Sequence, residues 1–515
     1  MGDRMRRREP YLARRILDAL LREDYGDLAK RVTRSKEGVA LLLADGRRVR
    51  LAPGLLFQDF VVADDELLGL EQVLNTLQEI ADPADAEGVA AFFDECVEAL
   101  HALELHDEHR PRITGRRLAD YEALAAFVDH PVYPTARARA GLSDEELLAY
   151  APEFAPSFEL RWAWVPRSDV TGAATQWGPQ EGGAVLMPVH PLSVGALPPR
   201  ARLAHGGPRI TVRPTLSMRT VQLDDRTQLK LPLPTSTLGR RNRRSIKPST
   251  LADGASAERL LRALADPGIL LADEQTYAHA GHEYLGWMLR RLPEGRIIPV
   301  AALNVPEVRE ELGDVEDLLT RYLTTLLRWN VRLFVRYGVA LEAHQQNLAL
   351  VIDGGADLKL LVKDNDGLLV SPARLAAAGV TPPSFTDERM LTDDPHALAD
   401  VFVTITLHLA AASIAFGALP ADRAAMLVRG CLEEALAEHG DDPMARLLRA
   451  RTLDAVRLTG KSMITAGTLV AKERSGARDV NKFYGTSGPN YLRALSLTGN
   501  LLVGLPPHRR AGSGP

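Results

Sequence analysis

Hydrophobic residues recur every three to four positions in the first third of the chain, a spacing that predicts amphipathic helices over 14–21 and 67–80. Between these segments, apolar runs at 38–43 and 48–51 flank Asp45-Gly46, a pair typical of a tight hairpin turn, and predict two paired strands. Further along the chain the pattern changes to short β-type runs, which predict strands over 185–190, 210–213, 217–223 and 228–233. The chain therefore begins helical and turns to sheet.

Helical spacing returns after this β-rich stretch. Residues 316–337 form an amphipathic run that stops at Gly338, the residue type expected just past a helix C terminus. Strands over 348–352 and 359–363 follow, on either side of Asp353-Gly354-Gly355. These patterns predict an α+β protein with segregated helical and sheet regions. With a polar, glycine-rich loop at 166–184 as one edge, we expect a mostly helical region at 1–165, a β-rich region at 166–310 and a mostly helical region at 311–515.

The chain beyond residue 395 is mostly helical in pattern. Residues 401–419 are apolar enough to be compared with a membrane span, but they are rich in Ala, Thr and Ser, which favours a buried core helix. The basic N terminus does not lead into the apolar segment of a signal peptide. The tail at 506–515 is expected to be disordered. We therefore expect a soluble, cytoplasmic protein with no membrane partner.

Composition narrows the possible chemistry. The 515 residues include 62 basic and 67 acidic side chains, a net charge of −5, which argues against a general nucleic-acid binder. Only nine of the basic residues are lysines, so each lysine is informative. Two cysteines, Cys96 and Cys431, are too few for a disulfide scaffold or a four-thiolate zinc site, and they fit a reducing compartment.

The richest polar block begins at Glu342, continues through His344-Gln345-Gln346-Asn347 and resumes after the predicted hairpin at Lys363-Asp364. Symmetric pairing about residues 355 and 356 would place Ile352 opposite Lys359 and Asn347 opposite Asp364. Such a hairpin would bring carboxylates and amide oxygens together, and these are ligands suited to Mg²⁺ bound to nucleotide phosphates. The alternative is a helix end and a turn rich in polar caps.

Two further blocks suggest anion binding. On a strand, Ser217 and Arg219 would share one face. Lys230, alone between leucines, would either extend its ammonium to water or contact an anion, and the scarcity of lysine favours the anion. Arginines next to hydroxyl residues at 235–247 suit phosphate or polycarboxylate recognition, although a nucleic-acid patch or a solvated loop remains an alternative. His190, at the end of an apolar strand, is by itself more typical of a packed or capping residue. The sequence contains no Walker A, dinucleotide-binding, nucleophile-elbow or zinc-protease motif.

Taken in order, these motifs resemble those of the NRPS-independent siderophore synthetases, the IucA/IucC family. The matching elements are His190-Pro191, Ser217-Met218-Arg219-Thr220, Lys230-Leu231-Pro232-Leu233, Thr237 with Arg241, His344-Gln345-Gln346-Asn347 and Lys363-Asp364. The resemblance implies a cradle of thumb, fingers and palm regions with helical ends around a central antiparallel sheet region, often as a homodimer. It also implies ATP-dependent adenylation of a carboxylate, usually of citrate, followed by condensation with an amine or alcohol.

The resemblance also implies roles for individual residues. For ATP, it implies phosphate binding by Ser217, Arg219, Thr220 and Lys230, contact of His190 with the reacting phosphate, and nucleotide binding by Gln346, Asn347 and Asp364. Mg²⁺ would be bound by Glu342 and Asp364. The carboxylic acid would be bound by Thr237, Arg241 and His344. His190, Lys230, Arg241 and His344 would be the catalytic residues. Because the stretch after Lys230 is about one residue short, Ser236 with Arg240 is an alternative to Thr237 with Arg241 as the pair that binds the acid.

Two other functions compete with this interpretation. A kinase-like phosphotransferase also places a strand lysine, a His-x-x-Asn segment and a metal-binding aspartate in this order, but Gln345 stands where its catalytic aspartate would be. That enzyme would release ADP rather than AMP and pyrophosphate. A nucleic-acid-binding protein could use residues 239–247, but this stretch lacks interleaved aromatic residues.

Overall fold

The computed structural model describes residues 8–178, 180–352, 358–476 and 483–493. The predicted turn at 353–355 and the predicted disordered tail at 506–515 lie outside these residues. The first part of the chain confirms the predicted helices and the hairpin, in which Leu42 pairs with Arg48. Its elements are α1 (Glu9–Glu23), β1 (Val32–Ser35), β2 (Gly38–Leu42), β3 (Arg48–Pro53), β4 (Phe60–Val62), α2 (Leu70–Ile80), α3 (Ala86–His109), α4 (Leu118–Ala125) and α5 (Asp144–Tyr150).

The middle of the chain forms an antiparallel seven-stranded sheet with strand order β5-β10-β11-β12-β15-β14-β7, and β8, β6 and β9 form a second sheet that packs against it. The elements are β5 (Phe158–Glu159), β6 (Arg161–Pro166), β7 (Thr171–Gly172), β8 (Ala184–Val189), β9 (Arg202–Leu203), β10 (Thr211–Pro214), β11 (Thr220–Asp224), β12 (Thr227–Lys230), α6 (Pro248–Ala263), β13 (Ile269–Leu271), β14 (Asp273–His282), β15 (Leu285–Arg291) and β16 (Arg296–Pro299). Strands β5 and β6, although they precede residue 166, belong to these sheets.

The predicted strand over 217–223 is wrong at its start. Residues 215–219 form a tight turn between β10 and β11, and the strand begins only at Thr220. Met218 has a φ of 62°, a left-handed conformation that cannot continue a strand. Ser217 and Arg219 therefore do not share a strand face; they lie in a turn instead.

The last part of the chain is mostly helical, with one long amphipathic helix, α8, at its core. Its N terminus is capped by Asp314, whose carboxylate accepts from the Asp317 N–H at 2.9 Å, and a π-helical turn (Leu333–Tyr337) carries it to Gly338 at φ 63°, as predicted. The elements are α7 (Pro306–Glu311), α8 (Val315–Arg332), β17 (Val339–Ala340), β18 (Leu348–Ile352), β19 (Leu358–Val362), β20 (Leu369–Val370), α9 (Pro372–Ala377), α10 (Pro395–Val401), α11 (Ser413–Ala418), α12 (Ala421–Ala437), α13 (Pro443–Thr452), β21 (Arg457–Gly460), α14 (Lys472–Ser475) and β22 (Thr486–Pro489).

The continuous helical stretch Pro395–Ala418 is, by length and composition, a candidate membrane span. Every residue from 401 to 412 is buried, and most of these side chains contribute to the same apolar core as α8. This burial agrees with the prediction of a core helix, because the apolar surface is already covered by protein.

The hairpin of β18 and β19 is present, but its predicted register is wrong by one residue. Ile352 pairs with Leu358, not with Lys359, and the Lys363 N–H donates to the Asn347 carbonyl at 3.1 Å, so Lys363 rather than Asp364 stands opposite Asn347. The physical reason is burial. The observed register places Leu348, Leu350, Leu360 and Val362 together on the face that packs on the α8 core. A shift of one residue would turn half of these side chains to the other face.

Candidate functional site

A cavity of about 310 Å³ lies where the three parts of the chain meet. Its wall combines the segment that follows α4, the turn between β10 and β11, the arginine-rich segment after β12, and both flanks of the β18–β19 hairpin. Lys461 and Met463, close to the end of the described chain, complete it. The cavity thus contains most of the residues that the sequence motifs single out, although these residues are widely separated along the chain.

The turn between β10 and β11 presents hydroxyl groups and one guanidinium to this cavity. Ser217 Oγ accepts from the Thr220 N–H at 3.2 Å, and Leu216 N–H donates to Glu122 Oε2 at 2.9 Å. Arg219 Nη1 donates to the Ser245 carbonyl at 3.0 Å. The turn is therefore held from both sides, and Ser217, Arg219 and Thr220 all line the cavity.

Lys230 is buried at the end of β12, directly opposite Thr220 in the sheet. Its Nζ donates to Asp364 Oδ1 and, at 3.3 Å, to Asp366 Oδ2. Of the two alternatives for this lysine, the structure shows contact with anions, which here are protein carboxylates. A buried ammonium needs such partners because its desolvation would otherwise be prohibitive.

Asp364 is the centre of a buried charged network. Its N–H donates to Glu274 Oε1 at 3.0 Å, and Arg290 Nε donates to the same oxygen at 2.5 Å. Arg290 Nη2 lies 3.7 Å from Asp364 Oδ1. Although burial opposes ionisation, the charges of Lys230, Arg290 and Arg219 hold the pKa of Asp364 well below its usual range. Asp364 is therefore a fixed carboxylate at the cavity wall.

A second ion pair supports the same wall. Lys363 Nζ donates to Glu122 Oε1 at 3.3 Å, and both side chains are buried. Asn347 Nδ2 donates to the Glu342 carbonyl at 3.1 Å, and the Glu342 side chain lies against Gly367. Because of these contacts, both sides of the hairpin face the cavity with polar groups already oriented.

His344 and Gln346 also line the cavity. His344 Nδ1 accepts from the Gln346 N–H at 3.3 Å. Burial, together with the charge of Lys461, lowers the pKa of His344 to about 4, so its ring is neutral at physiological pH. Gln345 Oε1 accepts from Asn304 Nδ2 at 3.1 Å, which fixes the bend of this segment.

The structure does not place the two predicted acid-binding arginines in the cavity. Arg240 forms an ion pair with Glu98 at 3.0 Å, and Arg241 Nη1 donates to the carbonyls of Thr468 at 2.9 Å and Ala466 at 3.3 Å. Both guanidiniums are thus occupied in joining this segment to α3 and to the turn Thr465–Leu469. Thr237 does line the cavity, whereas Ser236 lies with Arg240 in a separate small depression.

Arg244, three residues beyond Arg241, faces the cavity instead, and the sequence motifs do not single it out. No carboxylate of the described chain lies within ion-pair distance of Arg244 or Arg219, and Arg244 Nε has no hydrogen-bond partner. Burial, and then the nearby charge of Arg219, lower the pKa of Arg244 to about 9. Two guanidinium groups therefore share one cavity with no carboxylate in direct contact with either, although the charges of Asp364 and Asp366 partly offset that of Arg244.

His130, Arg139 and Lys461 are further cavity residues that the sequence reasoning missed. Arg139 Nη2 contacts Glu153 at 3.1 Å, but its Nε has no partner. Residues 130–139 carry no helical or strand pattern that would draw attention to them, whereas Lys461 could have been noted as one of only nine lysines.

His190 is not at the cavity. Its ring is fully buried between Tyr150 and Phe158, with ring centroids 5.3 and 4.9 Å away, and its Nδ1 accepts from the Leu192 N–H at 3.2 Å. Burial lowers the pKa of His190 to about 3. In this structure it is a packed, capping histidine, so the contact with a reacting phosphate that the resemblance implies stays a prediction.

Two family models match the chain: the IucA/IucC family over residues 117–305, and the ferric iron reductase FhuF-like transporter family over residues 316–468. The chain is 24% identical to the rhizobactin siderophore biosynthesis protein RhbC of Rhizobium meliloti over 309 residues, which is 46% of this chain and 52% of RhbC. The chain spans about half the length of the curated relatives it matches.

Solved structures match over almost the whole chain. The petrobactin biosynthesis protein AsbB of Bacillus anthracis matches with a TM-score of 0.76 at 16% identity, over 94% of this chain and 95% of AsbB. ATP-bound aerobactin synthetase IucA of Klebsiella pneumoniae matches with a TM-score of 0.67 at 16% identity, over 93% of this chain and 99% of IucA. At this level of identity these similarities establish the fold, which is that of the NRPS-independent siderophore synthetases.

The class that these comparisons define is structural: the chain has the α+β fold of the siderophore synthetases. Within that fold, residues 117–305 match the model of the IucA/IucC family.

Proposed function

We propose that this protein is an ATP-dependent ligase that adenylates a carboxylate of citrate, or of a related polycarboxylic acid, and joins it to an amine or alcohol. A carboxylate oxygen would attack the α-phosphorus of ATP, and the bond to pyrophosphate would break. The amine or alcohol would then attack the acyl carbon and lose its proton, and AMP would leave. The product is an amide or an ester.

One observation carries this proposal: Arg219 and Arg244 face the same cavity as the ionised Asp364, yet neither guanidinium has a carboxylate partner among the described residues. Like charges placed together in a recessed site are unfavourable unless an anion joins them. ATP and a polycarboxylate are both polyanions, and their mutual repulsion must be offset before they can react. The cavity has the charge that this task requires.

The described contacts support particular roles. Ser217, Arg219 and Thr220, on a turn held by Glu122, would bind the phosphates, and Gln346 and Asn347 would bind the nucleotide. Lys230 would exchange part of its contact with Asp364 and Asp366 for a phosphate oxygen. Thr237 and His344 would bind the acid, with Arg244 in the place that the resemblance gave to Arg241. Catalysis would consist of positioning and charge neutralisation, with no covalent enzyme intermediate.

The carboxylates of the cavity also fit a magnesium ion. Within residues 8–178, 180–352, 358–476 and 483–493, no three His, Cys, Asp or Glu side chains are arranged as a protein-only metal site. Mg²⁺ bound to a nucleotide usually takes only one or two carboxylates, together with phosphate oxygens and water. Glu342 and Asp364, both at the cavity, would hold such an ion, which would neutralise phosphate charge.

The test is pyrophosphate release from MgATP across a panel of carboxylic acids, with hydroxylamine present to trap activated acyl groups. We expect acid-dependent pyrophosphate and a hydroxamate, with citrate among the active acids. ADP formation without pyrophosphate would favour the kinase-like phosphotransferase and would refute adenylation. Lys230→Met should abolish the signal, whereas Lys30→Met, a change at an exposed lysine, should leave it intact.

A further inference from the structure

The turn Thr465–Leu469 supports the arginine-rich segment that follows β12. Arg240 N–H donates to Thr468 Oγ1 at 3.0 Å, and Arg241 N–H donates to the Gly467 carbonyl at 3.1 Å. These bonds join the main chain of the segment to the turn at two successive residues. The position of the turn therefore sets the position of the segment.

Close packing reinforces these hydrogen bonds. Gly239 lies directly on Gly467, and a Cβ at Gly239 would be 2.8 Å from the Gly467 carbonyl oxygen. Backbones in such close contact move together. Thr237 and Arg244, on either side of this contact in sequence, both line the cavity. A displacement of the turn would therefore be passed on to these two side chains.

A buried carboxylate of α1 holds the start of the same turn. Glu23 Oε1 accepts from the Ile464 N–H at 3.1 Å, and Glu23 Oε2 accepts from the N–H and the hydroxyl of Thr465, both at 2.9 Å. Backbone donors at the start of a helical turn need an acceptor from outside the turn. Here the acceptor lies 441 residues earlier in the chain than Ile464.

The end of the turn is held by α3. Glu95 Oε2 accepts from Thr468 Oγ1 at 2.8 Å, so the same hydroxyl oxygen remains an acceptor for the Arg240 N–H. The turn is thus fixed at both ends by carboxylates of the N-terminal helices, and the arginine-rich segment is fixed to the turn.

The groups that we assign to the ATP phosphates are held by other contacts. The turn between β10 and β11 is fixed by its hydrogen bonds to Glu122 and to the Ser245 carbonyl. Neither of these bonds involves α1. Loss of the Glu23 carboxylate should therefore disturb the acid-binding part of the cavity more than the phosphate-binding part.

We propose that Glu23 is a positioning residue: its carboxylate fixes the turn Thr465–Leu469 and, through that turn, the placement of Thr237 and Arg244. This inference rests on the proposed function, which assigns these two residues to the carboxylic acid. Glu23 does not line the cavity and would touch neither substrate. Its contribution is to hold the acid-binding groups in one arrangement before the acid arrives.

Three variants separate this role from a general contribution to folding. Glu23→Ala removes both acceptor oxygens, whereas Glu23→Gln keeps the volume of the side chain and one acceptor oxygen. Asp18→Ala is the matched control on the same helix, because Asp18 Oδ1 accepts from the Val62 N–H at 2.7 Å. This control loosens α1 through a lost carboxylate-to-backbone bond without touching the turn.

The measurement is the affinity of the full chain for citrate and for MgATP by calorimetry. In Glu23→Ala we expect citrate to bind at least about tenfold more weakly, the cost of one lost hydrogen bond to a charged group. MgATP should bind within about threefold of wild type. In the pyrophosphate assay, KM for citrate should rise by the same factor, while kcat stays within about threefold.

The other variants should follow the contacts that they keep. Glu23→Gln should bind citrate with an affinity between those of Glu23→Ala and wild type, and it serves as the test variant if Glu23→Ala does not fold. Asp18→Ala should have a lower melting temperature and wild-type affinity for both ligands. Hydrogen exchange at the amides of Ile464 and Thr465 should be faster in Glu23→Ala and unchanged in Asp18→Ala.

Several outcomes would overturn the inference. Unchanged exchange at these two amides in the Glu23 variants would show that the carboxylate does not hold the turn. Equal losses of citrate and MgATP affinity, or an equal loss of citrate affinity in Asp18→Ala, would show a general effect of a loosened helix. A wild-type protein that does not bind citrate would also overturn it.

The two proposals fail separately. Citrate affinities in the expected order of variants, without pyrophosphate release by the wild type, would refute only the proposed function. Pyrophosphate release by the wild type, with normal citrate affinity in the Glu23 variants, would refute only this inference.

Discussion

Replacement of Lys230 by Met should both destabilise the protein and remove its activity. Lys230 is 3% exposed, and its ammonium contacts Asp364 and Asp366. Met has a similar length and no charge, so the change removes the charge with little change of side-chain volume. Two carboxylates would then lack their shared partner.

The magnitude follows from what remains around Asp364. Removing one partner of a buried ion pair usually costs about 3–5 kcal/mol, because the other charge stays buried. Here Arg290 lies 3.7 Å from Asp364 Oδ1, and its Nη2 has no hydrogen-bond partner, so it can compensate in part. We therefore expect a loss near the lower end, about 3 kcal/mol of the free energy of unfolding. Lys230→Met combined with Asp364→Asn should recover part of this loss, because the double variant no longer buries the Asp364 charge without Lys230. Asn is suited to this position because it tolerates the left-handed backbone at 364, where φ is 63°.

The loss of stability in Lys230→Met should become smaller at low pH. Because the pKa of Asp364 is depressed in the folded protein, its ionisation stabilises the fold above the unfolded-state pKa of about 3.9, and this stabilisation is lost as pH falls below that value. In Lys230→Met that pKa should rise towards normal. The stability difference between wild type and variant should therefore be constant from pH 6 to 8 and narrow only below about pH 4.

The assay is urea unfolding followed by circular dichroism, alongside the pyrophosphate assay. Lys30→Met is the control, because Lys30 pairs with Asp27 on the exposed surface, and we expect no measurable change in stability. Equal stability of Lys230→Met and wild type would refute the buried-network argument. Near-normal turnover by Lys230→Met would refute the assigned role of Lys230 in phosphate binding.

Two further predictions concern other parts of the structure. Arg244→Ala should weaken citrate binding at least about tenfold without lowering the melting temperature, because the change also relieves repulsion from Arg219. Arg241→Ala should lower the melting temperature, because the Arg241 guanidinium donates to backbone carbonyls. The reverse pattern in calorimetry and thermal melts would contradict this assignment. Gly88→Ala should destabilise the protein by at least about 2 kcal/mol, because a Cβ at this position would lie 1.8 Å from the carbonyl oxygen of Leu469. An unchanged urea midpoint would show that α3 can move away from the turn Thr465–Leu469 without cost.

The local pattern of the chain determined the elements well where periodicity and turn residues agree. The helix that runs to Gly338 and the hairpin at Asp45-Gly46 were predictable because each depends on neighbours in sequence. The start of β11 was not, because the turn that holds the left-handed Met218 is also held by a tertiary hydrogen bond from Leu216 N–H to Glu122, which lies about a hundred residues earlier in the chain.

For the candidate site, the sequence by itself singled out the turn residues, Lys230 and the segments on both sides of the β18–β19 hairpin. The structure places the turn residues and the hairpin flanks at the cavity, and it places Lys230 in contact with Asp364 and Asp366, which line it. Only the tertiary structure decided the hairpin register, since burial of Leu350 and Leu360 against α8 fixes which residues pair. It also decided which arginines of the run at 240–244 line the cavity, namely Arg243 and Arg244. In a run of similar side chains, the choice depends on where Glu98 and the carbonyls of the turn Thr465–Leu469 lie, and these partners come from opposite ends of the chain.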